Sequence, residues 1–350
     1  MTMATELAPQ QVGYYQVGEE IGRGSVSVVY RATDTLFDRQ VALKVLHPYF
    51  AHYQAFVRYF IAEGRDAARL YHPNIVQTYE AGQADGVTYV AQELVTGGAL
   101  ADVLRARGGP FTLDETIAVL EQVAPGLDYA HRLGHLHRNL KPSNIFFAER
   151  GRVQIADFCA TLATSGAVPA NYPVGLPAFM APEQARGDGN VDQRADIYSL
   201  GVVTCLMLTG RLPFEADNPL ILLRKIVEET LPLAERLDPR ISPMVAQALS
   251  QVLAKRPSAR FLTATAFAQA LVRADAPTSE SAESLLAASL PISESPTVER
   301  APSPKASSVS KTTPTRRPFD RRLVAVMVML GIVLVALLLN AAIYFATTTF

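Results

Sequence analysis

Three features of the element order predict an α+β fold. Short β-rich runs crowd the first hundred residues, helical patterns dominate from Leu100 onward, and the two types do not alternate. A sheet-rich part followed by a larger helical part differs from the strand–helix alternation that builds a parallel sheet. Residues 17–24, 26–31 and 40–46 are separated by turn residues and read as strands. Residues 56–70 read as a helix, supported by Ala, Arg and Glu. Val87–Glu93 reads as a further strand. Residues 113–130 form a helical pattern opened by Thr112-x-x-Glu115, a capping box, and Pro125 inside it is expected to kink it.

The whole-chain numbers bound the class. With 350 residues the chain can bury a sizeable core in one large or two ordinary domains. A formal net charge of −1 argues against bulk nucleic-acid binding, which shows a basic stripe. Cys159 and Cys205 are the only cysteines and lack C-x-x-C spacing, so neither a disulfide framework nor a zinc site is expected and a reducing compartment fits. The six histidines form no H-E-x-x-H motif. The first sixteen residues carry no basic n-region or apolar run, so no signal peptide is expected.

Composition turns to Ser, Pro, Thr and Ala over residues 274–322, which cannot bury enough apolar surface to offset ordering entropy. Acidic residues come first and basic ones follow, ending in Arg316, Arg317, Arg321 and Arg322. The basic end could lie on anionic lipid or serve only to set topology. Residues 323–346 are almost wholly apolar, with Asn340 the one strongly polar residue. As a helix they would reach about 36 Å, enough to cross a ~30 Å hydrocarbon core. The preceding arginines place everything before residue 323 in the cytoplasm. Only Thr347-Thr348-Thr349-Phe350 follows, which predicts no outer sensor domain.

The remaining signals concern phosphate chemistry. Gly22, Gly24 and Ser27 stand in a G-x-G-x-x-G-like loop, where small residues let backbone N–H groups approach a phosphate. Val41-Ala42-Leu43-Lys44 follows. Then come His137-Arg138-Asn139-Leu140-Lys141-Pro142-Ser143-Asn144, Asp157-Phe158-Cys159, Ala181-Pro182-Glu183, Asp196-Ile197-Tyr198-Ser199-Leu200-Gly201 and Arg260. In this order, across residues 14–272, they resemble the eukaryotic-like Ser/Thr protein kinase family, in particular its membrane-anchored bacterial branch.

That resemblance implies a bilobal protein-kinase fold over 14–273, with a β-rich N-lobe at 14–95 and a helical C-lobe at 96–273. It implies ATP and Mg²⁺ as ligands and a protein as substrate or partner. Lys44 would grip the α and β phosphates and pair with Glu63, which precedes the His72-Pro73-Asn74-Ile75-Val76 junction. The Glu93 carbonyl and Val95 amide would meet the adenine edge, with Val29 and Ala42 above the ring and the bulky Phe146 below. Asn144 and Asp157 would hold Mg²⁺. Lys141 is the Ser/Thr-type feature of the loop. Glu183 and Arg260 would form a buried pair, Asp196 would brace the loop, and Arg138 would receive a phosphate on Thr161, Thr164 or Ser165.

Three departures follow from the same resemblance. Asn139 stands where the catalytic base is an aspartate, and an amide accepts no proton at neutral pH. Leu176 replaces the threonine that bridges that aspartate to Lys141. Cys159 replaces the glycine of D-F-G and restricts backbone freedom; no basic sequence neighbour suggests a reactive thiol. The metal- and phosphate-binding residues persist while the substrate-activating ones are lost. The expectation is a membrane-tethered pseudokinase that binds Mg-ATP, with a weakly active Ser/Thr kinase as the alternative and an inert structural platform as a third reading.

Overall fold

Six antiparallel strands open the chain in this computed structural model, which describes residues 9–158, 177–230 and 241–275. They are β1 (Gln11–Val12), β2 (Tyr15–Arg23), β3 (Ser27–Asp34), β4 (Arg39–Leu46), β5 (Thr78–Ala84) and β6 (Val87–Glu93), in the spatial order β1-β2-β3-β4-β6-β5. Period-two alternation decides what each face does. Val28, Tyr30 and Ala32 of β3 lie opposite Val45, Leu43 and Val41 of β4, and with Tyr15, Tyr89 and Ala91 they form one buried layer. Val29 and Lys44, also paired, carry the other face together with Ala42.

Two helices, α1 (Pro48–Ala51) and α2 (Gln54–Ala67), interrupt the strands. Phe50 and Phe56 stack at 4.3 Å, and with Val57 and Phe60 they pack on Ala81 and Val90 of the sheet. Gly64 permits this approach: a Cβ there would lie 2.5 Å from that of Ala81.

Helices then take over. They are α3 (Leu100–Arg107), α4 (Leu113–Arg132), α5 (Pro182–Arg186), α6 (Arg194–Thr209), α7 (Pro219–Glu228), α8 (Pro243–Val252) and α9 (Ala264–Asp275). Of these, α3, α4, α6, α8 and α9 build a second core, and α7 packs with Ala185 of α5 on a smaller cluster around Phe214. Almost every residue of α6 is buried, as expected of a helix apolar on all sides. The capping box forms as read: Thr112 Oγ1 accepts from the Glu115 amide, and the Glu115 carboxylate accepts from the Thr112 amide. α4 continues through Pro125 to Arg132, since its buried residues on both sides of the proline hold it against the core. Asp128 of α4 caps α9, accepting from the Ala264 and Thr265 amides at 2.8 and 3.0 Å.

A small hairpin, β7 (Ile145–Phe147) with β8 (Val153–Ile155), sits beside the sheet. The Val76 amide donates to the Ile155 carbonyl and the Ile155 amide to the Asn74 carbonyl, both at 2.9 Å. The short strands β1, β5, β7 and β8 and the one-turn helix α1 have no counterpart among the elements expected from sequence. Among the described residues no helix is long and apolar enough to cross a membrane. The candidate span at 323–346, nearly all of the Ser/Pro/Thr-rich segment, Cys159, Thr161, Thr164, Ser165 and Leu176 lie outside the described residues.

Candidate functional site

The glycine-rich segment closes the β2–β3 hairpin. Gly22 lies opposite Val29, and the Gly24 amide donates to the Ser27 carbonyl at 2.8 Å. Ser27, at the third glycine position, is buried. The site face of the sheet therefore presents Gly22, Val29, Ala42 and Lys44 in adjoining positions.

Lys44 Nζ donates to Asp157 Oδ1 at 2.8 Å, across 113 residues of sequence. Glu63, which the resemblance implied as a partner of Lys44, lies half-buried on α2. With side chains 21% and 31% exposed, the Lys44–Asp157 pair is screened less than a surface pair. Burial alone would raise the Asp157 carboxyl, but the charge and hydrogen bond of Lys44, helped by His137 and Lys141, hold it below the usual carboxylate range. Asp157 also takes a left-handed backbone, φ 61°, and Arg138 does the same at 64°. Such conformations are uncommon for residues other than glycine.

The loop between α4 and β7 is held from beneath. Asp196 at the start of α6 accepts from the His137 amide at 2.8 Å and the Arg138 amide at 2.7 Å, while His131 Nε2 lies 2.7 Å from the same carboxylate. Burial would raise Asp196, and the His131 contact with the other donors outweighs it, so its carboxyl is held low. His137 is fully buried. Its Nδ1 accepts from the Asn139 amide at 3.3 Å, so Nε2 carries the proton and donates to the Ala156 carbonyl at 2.9 Å. Desolvation holds His137 below its ordinary value despite the nearby carboxylates. Gln184, which the sequence reading missed, donates to the Arg138 carbonyl at 3.0 Å.

On this frame Asn139 is exposed, with a neutral amide for a side chain. Its carbonyl accepts from Asn144 Nδ2 at 2.9 Å, leaving Oδ1 as the acceptor end of Asn144. Asn144 and Asp157 thus supply oxygen donors from adjoining segments, the Ala156 amide donating to the Asn144 carbonyl at 2.8 Å. Two oxygen-bearing side chains suit Mg²⁺, which is bound by one or two protein groups plus substrate phosphates. Among the described residues no cluster of three His, Cys, Asp or Glu forms a metal cage.

At the far end of the cleft Glu93 closes β6, Val95 follows half-buried in the connection to α3, and Phe146 lies on β7. Below, Arg260 makes a two-pronged pair with Glu183, at 2.6 and 2.8 Å.

A sheet lobe and a helical lobe meeting at a lysine–aspartate pair, beside a loop braced by a buried aspartate, define a phosphotransferase-type cleft. Residues 15–272 match the family model described as "Protein kinase domain", and the chain belongs to the eukaryotic-like Ser/Thr protein kinase family. It is 34% identical over 254 residues to the serine/threonine-protein kinase PrkC of Bacillus subtilis, covering 72% of this chain and 39% of PrkC. It is 36% identical over 254 residues to PknL of Mycobacterium tuberculosis, covering 72% of this chain and 63% of PknL. The chain therefore spans less than two thirds of these relatives. The crystal structure of the M. tuberculosis PknI kinase domain superposes with a TM-score of 0.61 at 28% identity, covering 75% of this chain and 97% of that one.

Proposed function

We propose that this protein is a membrane-tethered pseudokinase that binds Mg-ATP and uses it to hold a signalling or scaffolding conformation. The observation that carries the reading is Asn139: an exposed amide occupies the base position while the frame around it is kept. When bound, Mg²⁺ would neutralise phosphate charge. Lys44 would receive the α and β phosphates, Asn144 and Asp157 would hold the ion, and Gly22, Gly24 and Ser27 would cover the phosphates. The Glu93 and Val95 main chains would read the adenine edge between Ala42 and Phe146. Asn139 can orient a hydroxyl but cannot take its proton. The membrane part of the reading rests on the apolar run at 323–346.

The second reading, a weakly active Ser/Thr protein kinase, is favoured by the Lys44–Asp157 pair. Phosphoryl transfer depends mainly on positioning and charge stabilisation, so loss of the base handicaps it without abolishing it. Radiolabel transfer from γ-labelled ATP to a generic protein substrate decides, with Asp157→Ala as the blank. Incorporation equal to the blank, in protein whose melting temperature rises with Mg-ATP, supports the pseudokinase. Incorporation well above it makes the protein a kinase, and no melting shift with ATP or ADP removes the nucleotide role.

A further inference from the structure

Glu93 does two separate things. Its main chain ends β6, the amide donating to the Gln77 carbonyl at 2.8 Å. Its carboxylate collects donors from the other lobe: Gln154 Nε2 reaches Oε2 at 2.9 Å and Arg152 Nη2 reaches Oε1 at 3.0 Å, both from β8 and its approach. The Gln77 amide adds a longer contact at 3.4 Å. Gln154 is 1% exposed. Its nitrogen must face the carboxylate, because oxygen there would oppose an acceptor; Oε1 is then a buried acceptor without a partner among the described residues. A buried amide left half-satisfied is costly, and the bond to Glu93 is what holds it in place.

The other junction nearby joins Asn74, Val76 and Ile155 through main-chain hydrogen bonds, and the Asn74 side chain adds a bond to the Val153 carbonyl at 2.8 Å. The Glu93 tie is the charged junction, and it lies at the end of β6. It fixes the hairpin on which Phe146 lies directly opposite Gln154. We infer that the Glu93 carboxylate is a positioning group for nucleotide: by clamping β8 to the end of β6 it sets the spacing between Ala42 and Phe146. The inference rests on the reading of the cleft as a Mg-ATP site. It assigns the side chain a role apart from the carbonyl expected to meet the base.

The test is titration of Mg-ATP into the full-length protein, its Glu93→Ala and Glu93→Gln variants, and the swap Glu93→Gln with Gln154→Glu. Melting temperatures without nucleotide are recorded alongside. Loss of charged hydrogen bonds at the clamp is expected to weaken ATP binding about tenfold in Glu93→Ala. Glu93→Gln, which keeps one acceptor, shifts less in the same direction and serves if Glu93→Ala does not fold. The swap restores a carboxylate–amide pair and is expected to recover most of the affinity. Variants that melt lower yet bind ATP within twofold of wild type overturn the inference and leave the nucleotide reading standing. A wild-type protein that binds no ATP overturns both.

Discussion

Asn144 donates its side-chain amide to the main-chain carbonyl of Asn139 at 2.9 Å. Because the bond runs to the backbone, it is indifferent to whether residue 139 carries an amide or a carboxylate. The amide at position 139 therefore leaves this hydrogen bond of the loop as it is.

Asn139→Asp should then restore a base without rebuilding the loop. General-base assistance is worth roughly 10²–10⁴ in rate, and phosphate transfer is expected to rise within that range at unchanged melting temperature. The double variant with Leu176→Thr provides the stricter form. If it stays at the Asp157→Ala blank, the amide at 139 is not what limits transfer.

His137 makes the loop sensitive to acid. Its value in the fold is held below the ordinary 6.5 by burial, so the unfolded chain takes up the proton first. The stability this neutral ring contributes is complete above pH 6.5 and is lost as pH falls through that value toward the folded one, at up to about 1.4 kcal/mol per pH unit. His72, also lowered by burial, acts in the same direction. Urea unfolding at pH 7.5, 6.5 and 5.5 should show stability falling at the lowest pH. NMR should find the His137 ring titrating below the ordinary 6.5 while the protein remains folded; a midpoint at or above that value would contradict the assignment.

Arg260 and Glu183 are 4% and 3% exposed. Arg260 also donates to the carbonyls of Ala254, Arg194 and Lys255. Arg260→Met leaves a buried carboxylate and three carbonyls short of donors, at a cost of roughly 3–5 kcal/mol. Adding Glu183→Leu removes the stranded charge, so the pair should cost less than the sum of the singles. Additive losses by urea unfolding would count against a coupled pair.

Gly64→Ala sets two effects against each other. Alanine gains about 1 kcal/mol over glycine inside a helix, whereas overpacking costs typically 1–3 kcal/mol. The new Cβ would lie 2.5 Å from the Ala81 Cβ and 2.8 Å from Val90 Cγ2. Overpacking should win, lowering stability by about 1 kcal/mol. A more stable variant would mean that α2 is not seated on the sheet in this way.

Local chemistry carried most of what could be read from the sequence. Val87–Glu93 was legible end to end because it is a β-branched, aromatic run beside a turn. The Thr112–Glu115 cap was legible because both partners lie within four residues. β5 was not: Thr78–Ala84 contains two alanines and a glycine, and a register shift interrupts its pairing. Its Glu80 finds its partners in the hydroxyls of Tyr14 and Tyr89, which only the folded sheet brings together. Pro125 was legible as a residue inside α4, and buried neighbours on both sides of it hold that helix against the core. In the site, motif order located Lys44, Asn144 and Asp157. Pairing of Lys44 with Asp157, and the use of the Glu93 side chain, depend on contacts that no window of sequence contains.

The left-handed backbones of Arg138 and Asp157 have a consequence for how the cleft comes apart. Each such residue costs of order 1–3 kcal/mol and is kept only while its surroundings insist, here Asp196 beneath one and Lys44 beside the other. Opening either contact returns that energy, so the cleft is sprung against the rest of the fold. In amide hydrogen exchange it should be the first part of the core to unlatch, well before α6. A ligand bridging Lys44 and Asp157 would then act as a catch on the spring.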